Sequence, residues 1–321
     1  MAHFTNSNIT ALMATDRPFL TDGGLETTLV FLEGMDLPAF ASFPLLGDED
    51  GRAALKTYFG KFLQLAKDNE TGFVLDTPTW RASHGWAADT GHTPQDIDRL
   101  NIRAVDFARD IASDWMAQGV PVVINGVVGP AGDGYVPDNA MTITEARDYH
   151  ARQIACFASA GADMVSAVTI NYVEEAIGIT RAAMAAELPV VVSFTVETDG
   201  KLPTGQSVGD AIAEVDAATD GAPIYYMINC AHPDHFADIL EGAAWTSRLG
   251  GLRCNASRMS HEELDNSDEL DDGDPQEFGQ LHAAMLQGLT DIRVLGGCCG
   301  TDHRHVGAVG KCCVEGQAHA A

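Results

Sequence analysis

The chain has 321 residues, 45% of them hydrophobic, and a formal charge of −27 from 46 acidic against 19 basic residues. That length can bury a large core, while the acidic balance excludes a nucleic-acid partner, which needs concentrated basic surface, and repels an anionic membrane. No apolar run reaches the about 18 residues of a membrane span, and the start, MAHFTNSNITALMATDRPF, has neither a basic n-region nor an apolar h-region, so a cytoplasmic protein is expected.

Along the chain, eight short apolar, β-rich runs are separated by longer polar and helical stretches. The first run, 18–22, precedes a helical pattern over 52–69; the second, 73–76, precedes one over 96–118; and the third, 121–125, precedes one over 144–160. The fourth run, 163–168, leads into a helical stretch at 172–187, followed by runs at 189–194, 224–229 and 250–255, a helix at 277–289 and the eighth run at 292–297. Gly72, Gly119 and Gly161 fall shortly before strands, where helices stop. The runs are continuously apolar rather than alternating, as strands covered on both faces require. Eight such units predict an α/β protein, a single (β/α)8 TIM barrel spanning 1–321; a doubly wound sheet shares the local pattern. The stretch 261–274, HEELDNSDELDDGD, holds eight acids and no Lys or Arg, and is expected to be a solvated loop.

Seven cysteines without a secretion signal point to reduced thiols, metal ligation or burial rather than a disulfide framework. Cys230 closes the sixth run, YYMINC, and Cys298 and Cys299 follow the eighth, RVLGGCCG. In a barrel the C-terminal strand ends meet on one rim, so these three thiols can share one ion. Three thiolates on Zn²⁺ leave a fourth position open, the mark of a catalytic site. Gly296, Gly297 and Gly300 supply the backbone freedom that two adjacent ligands need. On spacing alone a catalytic zinc, inert buried cysteines and a redox pair all remain open.

The run GGCCGT at 296–301 and the INC triplet at 228–230 resemble the homocysteine S-methyltransferase family. Further segments are similar to its strand-end motifs: DGGLETTL at 22–29, DTPTWRAS at 76–83, NGVVGP at 125–130 and VVSFTVETDGKLPTGQS at 191–207. The likeness spans roughly 17–310. It implies a zinc barrel that moves a methyl group to the sulfur of homocysteine, giving methionine, with Cys230, Cys298 and Cys299 as the zinc ligands. Coordination would lower the thiol pKa so that a thiolate exists at neutral pH.

Two departures bear on the acceptor. Where many members read FETIP, with a glutamate for the amino group of homocysteine, this chain has Ala167-Val168-Thr169-Ile170-Asn171. Where many read DGAMGTEL, Glu26 stands at a usually small position and Thr28 where Glu is common. A carboxylate that has moved is therefore expected among Asp22, Glu26 and Asp76. Alternatives are a different small thiol, transfer in the reverse direction, or a non-catalytic zinc- or thiol-binding protein. Neither cobalamin and folate modules nor a GxGxxG is present, so the donor is expected to be a small onium compound drawn to Trp80, Trp86, Tyr135 or Tyr172. A separate corrinoid protein is the other route, and a homo-oligomer is left open.

Further substrate-binding candidates are Thr27 on the first loop, Asn125, which with Gly126 and Gly129 could offer a carboxylate site, and Asn229, placed to orient a ligand or bind substrate. His232, His235, His303 and His305 are expected to be structural, because three sulfurs complete the protein ligand set. Cys312 and Cys313, in a predicted terminal helix, are expected to be buried, like Cys156 and Cys254.

Overall fold

The structure, a computed structural model, describes residues 6–137, 140–267 and 269–315. Eight parallel strands close into a barrel in sequence order: β1 (Phe19–Leu20), β2 (Phe73–Asp76), β3 (Val122–Val128), β4 (Met164–Ile170), β5 (Val190–Phe194), β6 (Tyr225–Asn229), β7 (Leu249–Cys254) and β8 (Val294–Gly297), with β8 pairing back onto β1. This is the expected (β/α)8 barrel, and the doubly wound alternative falls because the sheet has no free edge.

The outer helices start where side chains satisfy the first free backbone N–H groups. Thr93 with Asp96 and Thr142 with Glu145 form capping boxes ahead of Pro94–Met116 and Ile143–Ala160, and Asp48 and Ser207 cap Glu49–Asp68 and Val208–Thr219. Their apolar faces and the outward strand residues make one core layer. A second, smaller core fills the barrel bottom, where Ile9 and Leu12 of the helix Ser7–Ala14 plug a lumen lined by Phe19, Val74, Val123 and Tyr225. Asn6 and Asn8 fasten that plug through Asp163, at 2.7 and 3.1 Å. Among the described residues no helix is long and apolar enough to cross a membrane.

Two expectations need adjustment. The first strand pairs regularly over only two residues, Phe19 and Leu20, although the Thr21 N–H and the Asp22 carbonyl still bond to β8 beyond it. The acidic stretch is not wholly a solvated loop: Ser260 and Glu263 form a capping box for a short helix, His261–Asp265, and His261 is buried. Asp268 of that stretch lies outside the described residues.

Candidate metal centre and active site

The period of two along a strand decides what enters the lumen. From β2, β3, β6 and β7 it turns Val74, Val123 and Met227 inward at the bottom, then Asp76, Asn125, Asn229 and Arg253 one step nearer the mouth, all buried. Above this polar layer opens a cavity of ≈ 390 Å³ whose walls include Cys230, Cys298 and Cys299.

The three sulfurs lie within 4.8 Å of one another, with Cys230 and Cys299 at 3.5 Å. A tetrahedral zinc with Zn–S bonds of about 2.3 Å would set its sulfurs about 3.8 Å apart, so the cluster fits one such ion. Among the described residues this is the only set of three or more His, Cys, Asp or Glu that could hold a metal. All seven cysteines are free, so no disulfide joins Cys298 to Cys299 or either to Cys230.

Backbone shape makes the convergence. Cys230 sits at φ 56°, a left-handed conformation uncommon for a residue with a side chain, which turns its sulfur off the line of β6. Gly300, at φ 77°, supplies the matching turn after Cys299. Gly296 and Gly297 serve by close approach instead, a Cβ on Gly296 meeting the Asp22 carbonyl at 2.8 Å.

Around the sulfurs, the Tyr135 hydroxyl lies 3.0 Å from Cys230 Sγ and 3.9 Å from Cys299 Sγ. Burial, then the negative charge that a Cys230 thiolate would bring, raises the phenol well above its ordinary value, so it stays protonated and has a proton to offer the sulfur. Asn229 Nδ2 lies 3.8 Å from Cys298 Sγ. Hydrogen bonds from Cys230 and Cys299 hold the Cys298 thiol well below its ordinary value, burial opposes this, and Arg253 and Asn229 assist.

The other candidates divide into two groups. Asp22, Glu26, Thr27 and Asp76 line the cavity, whereas Asn125 and Asn229 lie beneath it. Asn125 Nδ2 donates to Asp76 Oδ1 at 2.7 Å and Asn125 Oδ1 accepts from Ser166. Asn229 Oδ1 accepts from the Thr169 N–H and from Ser193 Oγ, while its amide donates to Thr169 Oγ1. Thr27 Oγ1 accepts from the Gly300 N–H, tying the first loop to the cysteine turn. Glu26 accepts from Ser42 at 2.6 Å, and burial raises its carboxyl. Val168, at the position of the usual glutamate, lines the cavity with an apolar side chain.

Of the four aromatics, Trp80 and Tyr135 line the cavity. Trp86 instead packs with Trp80 about Arg81, whose guanidinium carbon lies 3.8 and 4.4 Å from their ring centroids, and the Tyr172 hydroxyl accepts the Met141 N–H. Gly129 backs onto Trp80. His305 is buried in the cap of the last helix, between Asp302 and the Asp272 carbonyl, and His232 caps Pro233–Leu240. His303 is exposed, and His235 bonds the Arg258 carbonyl. Cys156, Cys254 and Cys313 are buried and Cys312 half-buried.

Two groups lay outside the sequence reading. Arg253 bridges Asp22, at 2.6 Å, and Asp76. The sequence carried a signal for it, a lone arginine in a strand covered on both faces, where an unpaired charge cannot stay. His261 stacks on Tyr135, with centroids 3.8 Å apart, and bonds the Cys230 carbonyl at 2.7 Å and Glu197 at 3.1 Å. Nothing in the sequence marks that pairing, since 126 positions separate the two rings.

A closed barrel with three thiols on its C-terminal rim, beneath a cavity for small molecules, defines a thiol-chemistry enzyme of the TIM-barrel class. The sequence profile of the homocysteine S-methyltransferase family matches residues 19–313, and the chain belongs to that family. It is accordingly an S-methyltransferase that transfers a methyl group to homocysteine. Among solved structures it is similar to the homocysteine methyltransferase MmuM from Escherichia coli. The oxidized form matches with TM-score 0.74 at 20% identity and the metallated form with 0.74 at 19%, each covering 95% of this chain and 99% of the other. The apo form matches with TM-score 0.68 at 18% identity, covering 94% and 98%.

Proposed function

We propose that the enzyme is zinc-dependent, with Cys230, Cys298 and Cys299 as the metal ligands, and takes its methyl group from a small onium donor. The observation that carries the zinc reading is the three-sulfur cluster, whose spacing suits one tetrahedral ion and whose donor set is soft. A zinc ion there supplies a lowered pKa for the acceptor thiol. The chain's residues do the remainder. Tyr135 and Asn229 place hydrogen-bond donors beside the cysteine sulfurs, Asn125 and Asn229 hold the cavity floor, and Thr27 fixes the cysteine turn.

The donor reading rests on charge. Seven carboxylates line the cavity, Asp22, Glu26, Asp76, Asp133, Asp265, Glu269 and Asp271, against the guanidiniums of Arg81 and Arg253. Such a mouth concentrates cations and repels anionic donors. S-methylmethionine, betaine and dimethylsulfoniopropionate each carry the cationic onium centre that such a mouth attracts, and S-methylmethionine is also a net cation. We further read the chain as one cytoplasmic domain, supported by its free thiols.

Metal analysis combined with turnover tests this function. About one zinc per chain is expected, falling to near zero in Cys230→Ala and Cys298→Ala together with methionine formation. Full turnover by a metal-free preparation would remove the zinc reading, and turnover only with donors that lack an onium centre would remove the onium reading.

A further inference from the structure

The cavity floor holds a charged group that thiol activation does not use. Arg253 stands on β7, in register with Asn229 on one side and Gly296 on the other, with a side chain 9% exposed. Its Nε donates to the Gly297 carbonyl at 3.2 Å, Nη2 to Asp22 at 2.6 Å and Nη1 to Asp76. A guanidinium has five N–H bonds, so one on each Nη stays uncommitted among the described residues, and Arg253 lines the cavity. Both aspartates are themselves fastened, Asp76 by Asn125 and Asp22 by the Tyr58 hydroxyl at 3.2 Å. The fork is therefore held rigidly, its Nε on the Gly297 carbonyl just before Cys298.

What this group prefers follows from its charges. A ligand bringing only a carboxylate adds a negative charge beside two aspartates, and one bringing only an ammonium meets the guanidinium. A ligand bringing both on one carbon matches both, since the carboxylate can take the two uncommitted N–H bonds in bidentate fashion. On the facing wall Val168 offers no charge that could do either job.

We propose that Arg253 is the specificity-determining residue for the acceptor, receiving its α-carboxylate while Asp22 and Asp76 receive its α-ammonium, so that the site selects a zwitterionic thiol. The proposal rests on the reading that the acceptor thiol binds beside the three cysteines. It places the work of the missing fourth-strand glutamate on a pair of aspartates organised by an arginine.

Calorimetric titration of the full-length, zinc-loaded protein tests it with three thiols: homocysteine, an aminopropanethiol lacking the carboxylate and a mercaptobutyrate lacking the ammonium. The wild type is expected to bind homocysteine at least about tenfold more tightly than either truncated thiol, as a charge-assisted bond lost from a buried site implies. In Arg253→Gln the preference for homocysteine over the aminopropanethiol should fall below about threefold. In Arg253→Lys, which keeps the charge but loses the fork, it should take an intermediate value. Equal binding of all three thiols by the wild type overturns the proposal and leaves the thiol-site reading standing. No binding of any thiol to the loaded wild type overturns both. A preference unchanged in Arg253→Gln overturns the role of Arg253; where that variant does not fold, a preference unchanged in Arg253→Lys does so instead.

Discussion

At the scale of single residues, the site depends on hydrogen bonds made beneath the cavity as well as on the side chains that line it. Thr169 is a β-branched residue at φ 64°, a conformation that persists only where the surroundings over-determine it. Here Asn229 does so, gripping both the N–H and the hydroxyl of Thr169 at the point where the β4–β5 register shifts. Asn229→Ala is expected to cost about 2–4 kcal/mol in urea unfolding, because buried donors lose their acceptor. Thr169→Gly placed in that background should return about 1 kcal/mol, since glycine holds φ > 0 without strain; no recovery would mean that Asn229 does not restrain Thr169. The sequence offered Asn229 as a group that orients a ligand or binds substrate. It could not show the threonine 60 positions earlier, whose backbone strain exists only once the strands are paired. Asn125 likewise looked like a source of backbone donors, whereas its amide serves Asp76.

At the scale of elements, the alternation of apolar runs with helices made the barrel legible, because strands covered on both faces leave a strong compositional trace. The barrel-bottom plug did not show, since eight residues are too few for a helical period to stand out. The meeting of two loops above the cysteines was also hidden, being made by rings rather than by pattern. His261 opens the short helix His261–Asp265, stacks on Tyr135 from the β3 loop and bonds the Cys230 carbonyl. His261→Ala should therefore loosen both loops together. We expect homocysteine KM to rise by about tenfold with kcat changed less than about threefold, and amide exchange to quicken at both 131–137 and 261–267. Faster exchange in only one of the two segments would show that the loops are not coupled.

At the scale of the whole molecule, charge and buried histidines set the response to solution conditions. A net charge of −27 makes the compact state repel itself. Raising salt from about 0.01 M to about 1 M shortens the Debye length from about 30 Å to about 3 Å, and Tm should rise by about 5 °C or more; a flat response would show that the acids are already compensated locally. In acid the sign differs. Burial lowers His232 and His282 from the ordinary 6.5 to about 4, so the folded state holds them neutral while the unfolded chain takes up protons. Their contribution is complete above pH 6.5 and is lost as pH falls from 6.5 through 4. His282→Phe should flatten that part of the Tm profile; an unchanged slope would assign it to other groups. Finally, the two-residue β1 bears on how the chain assembles. Phe19 and Leu20 meet Val294 and Leu295, so this seam joins nearly opposite ends of the described chain and carries the largest loop-closure entropy in the sheet. Beyond it the Gly297 N–H donates to the Asp22 carbonyl, and Arg253 reaches the Asp22 side chain. Substrate pocket and seam are thus one structure: the pocket is complete only after the ring has shut, and an occupant acts as its clasp. Amide exchange at Thr21 and Gly297 should slow when homocysteine binds the zinc-loaded protein, while that at Val165, far from the seam, should not change.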